Sequence, residues 1–250
     1  MNRIVAALDN SLAAGPVLAV ARALAPLLDS EVEAVHLVNG ANGVAAHAAR
    51  AAGLPLRRIR GPRAETLVAA GSSPDVAALV IGARATPAGR RPLGSTALAV
   101  ATALPKPLVV VPPDAAATAT IRRVLVPVEG RMPAGTAPGP VGELARRADV
   151  ELIALHVYGE PALPLFTDQP QHESEAWARE FVRRYCHWHP GPVRLETRVG
   201  RVEDVVPAVA DEVDADLVIL AWGRELGPGR APVVRTMLER CRRPVLLVPA

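Results

Sequence analysis

Three things are scarce in this 250-residue chain, and each scarcity removes a class of protein. Cysteine occurs only at Cys186 and Cys241, too few for a disulfide framework, which points to a reducing compartment. Aromatic residues make up 3%, so any core must be built from Ala, Val and Leu, the usage of parallel strands buried on both faces. Long apolar runs are missing too. The opening run is cut by Asp9, too early for a secretory segment, and no later run has bilayer-spanning length, so a soluble cytoplasmic protein away from membranes is expected.

The net charge of +3 does not imply nucleic-acid binding. Arginines fall in short pairs, Arg57-Arg58, Arg90-Arg91, Arg122-Arg123 and Arg242-Arg243, spread along the chain without interleaved aromatics on which bases could stack. There is no GxxxxGK[ST] loop, no G-x-S-x-G elbow and no pair of carboxylates in one loop, so no catalytic residue is expected. Cys186-His187-Trp188-His189, with His172 upstream, is the most conspicuous polar cluster. Adjacent positions at a helix end splay around the axis instead of converging, which disfavours a metal site. The acidic run Asp211, Glu212, Asp214 and Asp216 reads as a solvated helix end.

What the sequence does have is an internal repeat. RIVAALD ends at Asp9 and RRVLVPVE ends at Glu129, 120 residues apart (129 − 9). His36 in VEAVHLV and His156 in VELIALHV keep that offset (156 − 36 = 120), and repetition with a structural hydrogen bond accounts for them better than catalysis. DVAALVIGAR ends at Arg84 and ADLVILAWGR at Arg224, an offset of 140 (224 − 84), so the second copy carries about one extra helix. KPLVVVP and RPVLLVP close the two halves.

Short apolar runs separated by helix-like segments read as consecutive β-α units forming a parallel sheet. Strands are expected at 3–8, 32–38, 56–60, 77–82 and 108–111, and again at 123–128, 151–157, 193–199, 216–221 and 245–248. Helices are expected over 11–28, 63–70 and 95–104, the last with Ser95 and Thr96 at its N-cap. Glu173 to His187 reads as an amphipathic helix whose Trp177, Phe181, Val182 and Tyr185 pack into a core. The stretch 112–120 reads as a linker, giving domains at 1–117 and 118–250.

These motifs resemble the universal stress protein family, once per half: a first strand ending in an acid, HLV or HV in strand two, an ADLVI-type strand four and a closing PVLLVP. The resemblance implies an α/β fold of two tandem Rossmann-like domains of the adenine nucleotide alpha hydrolase-like kind. Each would hold a five-stranded parallel sheet with helices on both faces, and the two would pair through their last strands. It also implies a nucleotide ligand, ATP with magnesium, held by a strand-one Asp and a Gly-x2-Gly-x9-Gly-Ser/Thr loop. Carried onto this sequence, that site comprises Asp9, Val38, Gly82, Arg84, Gly94, Ser95 and Thr96, with Arg90 and Arg91 close enough in sequence to neutralise phosphate charge. Ala85 stands where the second Gly falls, and the interval to Gly94 is one residue short. In the second copy Val234-Arg235 takes the Gly-Ser place and Glu129 that of the acid, so weak or no ATP binding is expected there. The resemblance therefore implies a nucleotide-binding, stress-response regulatory module, at most weakly hydrolytic. A homodimer and a protein partner are further expectations. The alternative is a non-nucleotide interaction protein whose segment 161–190 forms a partner surface.

Overall fold

The computed structural model describes residues 2–38, 43–83, 94–115, 119–129, 149–158, 175–186, 192–225 and 231–249. Ten strands form one sheet: β1 (Asn2–Leu8), β2 (Ser30–Leu37), β3 (Leu56–Ile59), β4 (Val76–Gly82), β5 (Leu108–Val111), β6 (Arg123–Pro127), β7 (Glu151–Tyr158), β8 (Val193–Val199), β9 (Leu217–Trp222) and β10 (Val245–Pro249). Their spatial order is β3-β2-β1-β4-β5-β10-β9-β6-β7-β8. Each repeat is thus a five-stranded parallel sheet in the order 3-2-1-4-5, and the two meet through β5 and β10, which run antiparallel. The sheet continues across this seam because two edge strands satisfy each other's backbone groups.

The helices among the described residues are α1 (Ala14–Leu24), α2 (Gly43–Ala51), α3 (Arg63–Gly71), α4 (Ser95–Ala103), α5 (Glu175–Tyr185), α6 (Val202–Glu212) and α7 (Pro232–Arg240). A short 3-10 turn, Ala25–Leu27, extends α1. Alternate strand residues feed two apolar layers. Ile4, Ala6 and Leu8 pack with Val17, Leu24 and Ala45, whereas Val5, Leu79 and Ile81 pack with Leu67, Val100 and Met237 on the other face. Because β strands present successive side chains to opposite faces, a sheet covered on both sides needs continuous apolar strands such as LVVV in β5.

Two details differ from the sequence reading. Gly94, not Ser95, is the N-cap of α4, and no side chain caps this end, so Ser95 is its first helical residue. The offset of 140 between the fourth strands is also corrected by one. Leu79 lies beside Leu108, and Val218 beside Val245, at matching places in the two repeats, an offset of 139 (218 − 79). Hydrogen bonding sets this register, whereas the matching Gly-Arg letters lie beyond the paired residues. Ala221 therefore stands at the place of Gly82, and Trp222 at that of Ala83.

The chain enters α3 at Gly61, whose φ of +138° is a conformation that side chains rarely adopt, and a Cβ there would collide with the Thr66 hydroxyl. Gly61→Ala is expected to cost about 1–3 kcal/mol, read as a lower denaturation midpoint with an unchanged slope.

Candidate functional site

A cavity of about 450 Å³ opens on the α3 and α4 side of the first repeat, at the carboxyl ends of β1, β2 and β4. Ligand pockets usually span about 300–1,000 Å³, and open α/β sheets bind at this edge. The edge is suited to ligands because parallel strands all end there while the following helices begin there with free N–H groups.

Of the residues singled out from the sequence, Asp9, Gly82 and Thr96 line the cavity together. Asp9 follows β1, and its Oδ1 accepts hydrogen bonds from the Ser11 amide at 3.0 Å and from the Ser11 hydroxyl. The Ser11 hydroxyl oxygen in turn accepts from the Ala13 amide at 3.2 Å, so the carboxylate sits in a tight turn leading into α1. Gly82 closes β4, where a Cβ would come within 3.1 Å of the Ala13 side chain. Thr96 and Ala97 bring in the first turn of α4, and the Gly94 amide ties the start of that helix to the Ala83 carbonyl at 3.0 Å.

Gly94 and Ser95 open α4 without being among the lining residues. Val38 follows β2 at the same edge, with its amide donating to the Ile59 carbonyl at 3.0 Å, and its neighbour Leu37 lines the cavity. Arg84, Ala85, Arg90 and Arg91 lie outside the described residues, as do His172 and His187 to His189.

Sequence reasoning passed over Asn10, Ser11, Arg63 and Leu67 as lining residues. Asn10 and Ser11 carry a local signal, since Asp-Asn-Ser after a strand favours turns with side-chain acceptors. Arg63 and Leu67 arrive from another β-α unit and carry none. Asn10 also receives the Ala45 amide at 3.2 Å, fastening the loop to the start of α2.

The paired histidines behave alike. His36 Nδ1 lies 2.8 Å from the Leu8 carbonyl and His156 Nδ1 lies 2.9 Å from the Val128 carbonyl, so each ring bonds the neighbouring strand end. His156 meets the Tyr158 ring edge-on and lies tilted against Trp177 and Phe181, while Phe181 meets Tyr185, so α5 packs its aromatics onto β7. Burial pushes the Tyr158 hydroxyl up to about 12, keeping it neutral.

A model of the universal stress protein family matches residues 120–249. The chain belongs to the universal stress protein family. Three solved structures resemble it over nearly their whole length. A functionally unknown protein from Pseudomonas aeruginosa PAO1 is 15% identical, with all of this chain and 92% of that chain covered at a TM-score of 0.66. A putative universal stress protein from Pseudomonas aeruginosa UCBPP-PA14 is 16% identical, with 100% and 93% covered and a TM-score of 0.67. A universal stress protein from Archaeoglobus fulgidus DSM 4304 is 14% identical, with 99% and 98% covered and a TM-score of 0.63. At these identities the likeness concerns the fold. A search of curated proteins returned no match.

The two universal stress protein repeats differ where a ligand would sit. In the second, the helix corresponding to α4 is α7, which starts at Pro232, an offset of 137 (232 − 95) that is kept by the closing strands (245 − 108). Ala231-Pro232, not Val234-Arg235, therefore takes the Gly94-Ser95 place, because the loop before the helix is shorter. Val234 is buried inside α7. Pro232 has no N–H, so this helix offers one donor fewer to an anion, and Ala231 holds a left-handed φ of 45°.

Both cysteines are buried, and burial pushes the thiols of Cys186 and Cys241 up to about 11. At pH 8 almost no thiolate forms, so neither thiol should react with an aromatic disulfide reagent in the folded chain. Denaturant should release both; rapid labelling without denaturant would contradict the burial.

Proposed function

We propose that the first repeat binds an adenine nucleotide, ATP first among them, and that occupancy of this site is how the chain serves a stress-response regulatory role. The observation that carries this reading is the convergence of Asp9, Gly82 and Thr96 on one cavity of about 450 Å³ at the carboxyl edge of the sheet. The Asp9 carboxylate offers an acceptor for ribose hydroxyls, while Gly82 keeps the end of β4 free of side chain. The amino-terminal turn of α4 offers N–H groups and a positive dipole end to phosphates. Val38, Gly94 and Ser95 complete the proposed site from the strand end and helix start at the same edge, together with Arg84, which lies outside the described residues.

Among the described residues no three His, Cys, Asp or Glu side chains stand together as metal ligands. Magnesium, which takes few protein ligands and binds substrate phosphates, would arrive on the nucleotide's phosphates. The alternative, an interaction protein that binds no nucleotide, draws on Ala85 and on the loss of the site in the second repeat.

Calorimetric titration of ATP, with and without magnesium, into the wild-type chain and a Gly94→Arg variant separates the two. One ATP bound per chain and lost in the variant supports nucleotide binding in the first repeat. No heat and no thermal shift at millimolar ATP would leave the interaction protein as the better reading.

A further inference from the structure

Helix α3 has two flanks, and only one faces the nucleotide cavity. Arg63 and Leu67 line that cavity, whereas Thr66 and Ser73 line a second groove of about 620 Å³ on the other flank. The groove exists because α3 packs on β1, β4 and α4, leaving the same face of the outer strands β2 and β3 partly uncovered. Its sheet wall carries Arg3, Glu33 and Arg57, and Arg60 lines it from the segment just after β3.

The charges in this groove do not cancel. Glu33 accepts from Arg3 Nη1 at 2.5 Å and from Arg57 Nε, and Asp75 pairs with Arg3 at 2.8 Å. Two acids thus serve Arg3 and one edge of Arg57. Among the described residues, the Nη groups of Arg57 and the whole guanidinium of Arg60 have no partner. Glu33 holds Arg57 in place through Nε, which leaves its two Nη groups directed elsewhere.

The second repeat supplies an internal control. On the corresponding flank, Arg194 pairs with Glu151 and Glu196, and Arg198 with Glu196 and Glu212, so two arginines meet three acids. Protection of an edge strand by charge would be served equally by either arrangement. It does not account for an excess of guanidinium donors beside two hydroxyls in the first repeat alone.

We propose that this groove is an anion site for a phosphate-bearing small molecule, with Arg57 and Arg60 meeting the phosphate oxygens and the Thr66 and Ser73 hydroxyls donating beside them. Guanidinium forks match phosphate geometry, and two of them within one groove favour a multiply charged anion over a lone carboxylate. The site is independent of nucleotide binding, although both ligands would bear on α3.

Inorganic pyrophosphate is the probe. Titrated calorimetrically, it should bind the wild-type chain saturably and bind an Arg57→Gln/Arg60→Gln variant at least about tenfold more weakly. The Gly94→Arg variant and an Arg194→Gln/Arg198→Gln variant should retain the wild-type affinity. Arg57, Arg60 and Arg194 are exposed and Arg198 is half-buried, and unfolding midpoints establish that each variant is folded. Absence of saturable binding at millimolar pyrophosphate, or equal affinity in the Arg57/Arg60 variant, overturns the proposal. Loss in Gly94→Arg with retention in the Arg57/Arg60 variant also overturns it, since the anion would then occupy the nucleotide cavity. ATP binding by the Arg57/Arg60 variant is read separately, so failure of one site does not imply failure of the other.

Discussion

Trp222→Ala is expected to lower the thermal unfolding midpoint by about 6–20 °C, the largest stability effect expected of any single change considered for this chain. Trp222 ends β9, is 2% exposed, and sits in the layer that also holds Val100, Ala101 and Leu104 of the first repeat. Its indole N–H donates to the Ala101 carbonyl at 2.8 Å, across the seam between the repeats. That carbonyl lies in the last turn of α4, and the residue four positions on is Pro105, which has no N–H to complete the helical bond. Trp222 is therefore the partner for a carbonyl the helix itself cannot satisfy.

Truncating a buried Trp costs about 3–5 kcal/mol, and a chain of this size loses about 2–4 °C per kcal/mol. Trp222→Phe separates the two contributions. It keeps most of the ring volume but leaves the carbonyl without its donor, an expected loss of about 1–3 kcal/mol. The measurement is circular dichroism against temperature for all three proteins. An alanine variant that unfolds within a degree or two of wild type would mean that the seam does not depend on this side chain.

If the first repeat binds ATP as proposed, Asp9→Asn is expected to weaken that binding by about ten- to a hundredfold while leaving the unfolding midpoint nearly unchanged. The Asn side chain keeps an oxygen for the Ser11 amide and hydroxyl, so the turn into α1 survives. The second carboxylate oxygen becomes an NH₂ group, which cannot accept from a ribose hydroxyl. A lost hydrogen bond to a charged group is worth about 1.5–3 kcal/mol, which gives the stated range of affinity. Calorimetry on both proteins checks it. Equal affinities would remove Asp9 from the site and shift the weight of binding to α4.

Much of the fold could be read along the chain, because each buried parallel strand is a short apolar run bounded by turns. All ten expected strands form, within two residues of their expected ends. Helix α2 was not read. In Gly43–Ala51 the two buried residues, Ala45 and Ala49, are small, and the one large apolar residue, Val44, lies on the exposed side, so no large apolar side chain marks the buried face. The lining residues Asp9, Gly82 and Thr96 were reached through the resemblance to the family's strand-one acid and glycine loop, which fall at a strand end and a helix start. Arg63 and Leu67 were not, since the fold alone brings α3 over β1 and β4. The one-residue error in the fourth strand had a similar origin. Matching letters aligned Gly82 with Trp222, whereas backbone pairing aligns Ala83 with it.

The chain's own residues determined that there are two copies of one α/β unit, where their strands lie, and that the first copy keeps more of the loop than the second. These are local properties of periodicity, turn residues and repetition. Only the tertiary structure decided which side chains share a space: Trp222 against Ala101 across the seam, Arg63 beside the cavity at the carboxyl edge, and Arg57 with Arg60 in one groove, while Arg194 and Arg198 of the second repeat meet acids. Such meetings depend on strand register and on helix crossings between segments far apart in sequence. A one-residue shift reverses the face a strand residue presents without altering any local pattern that could record it.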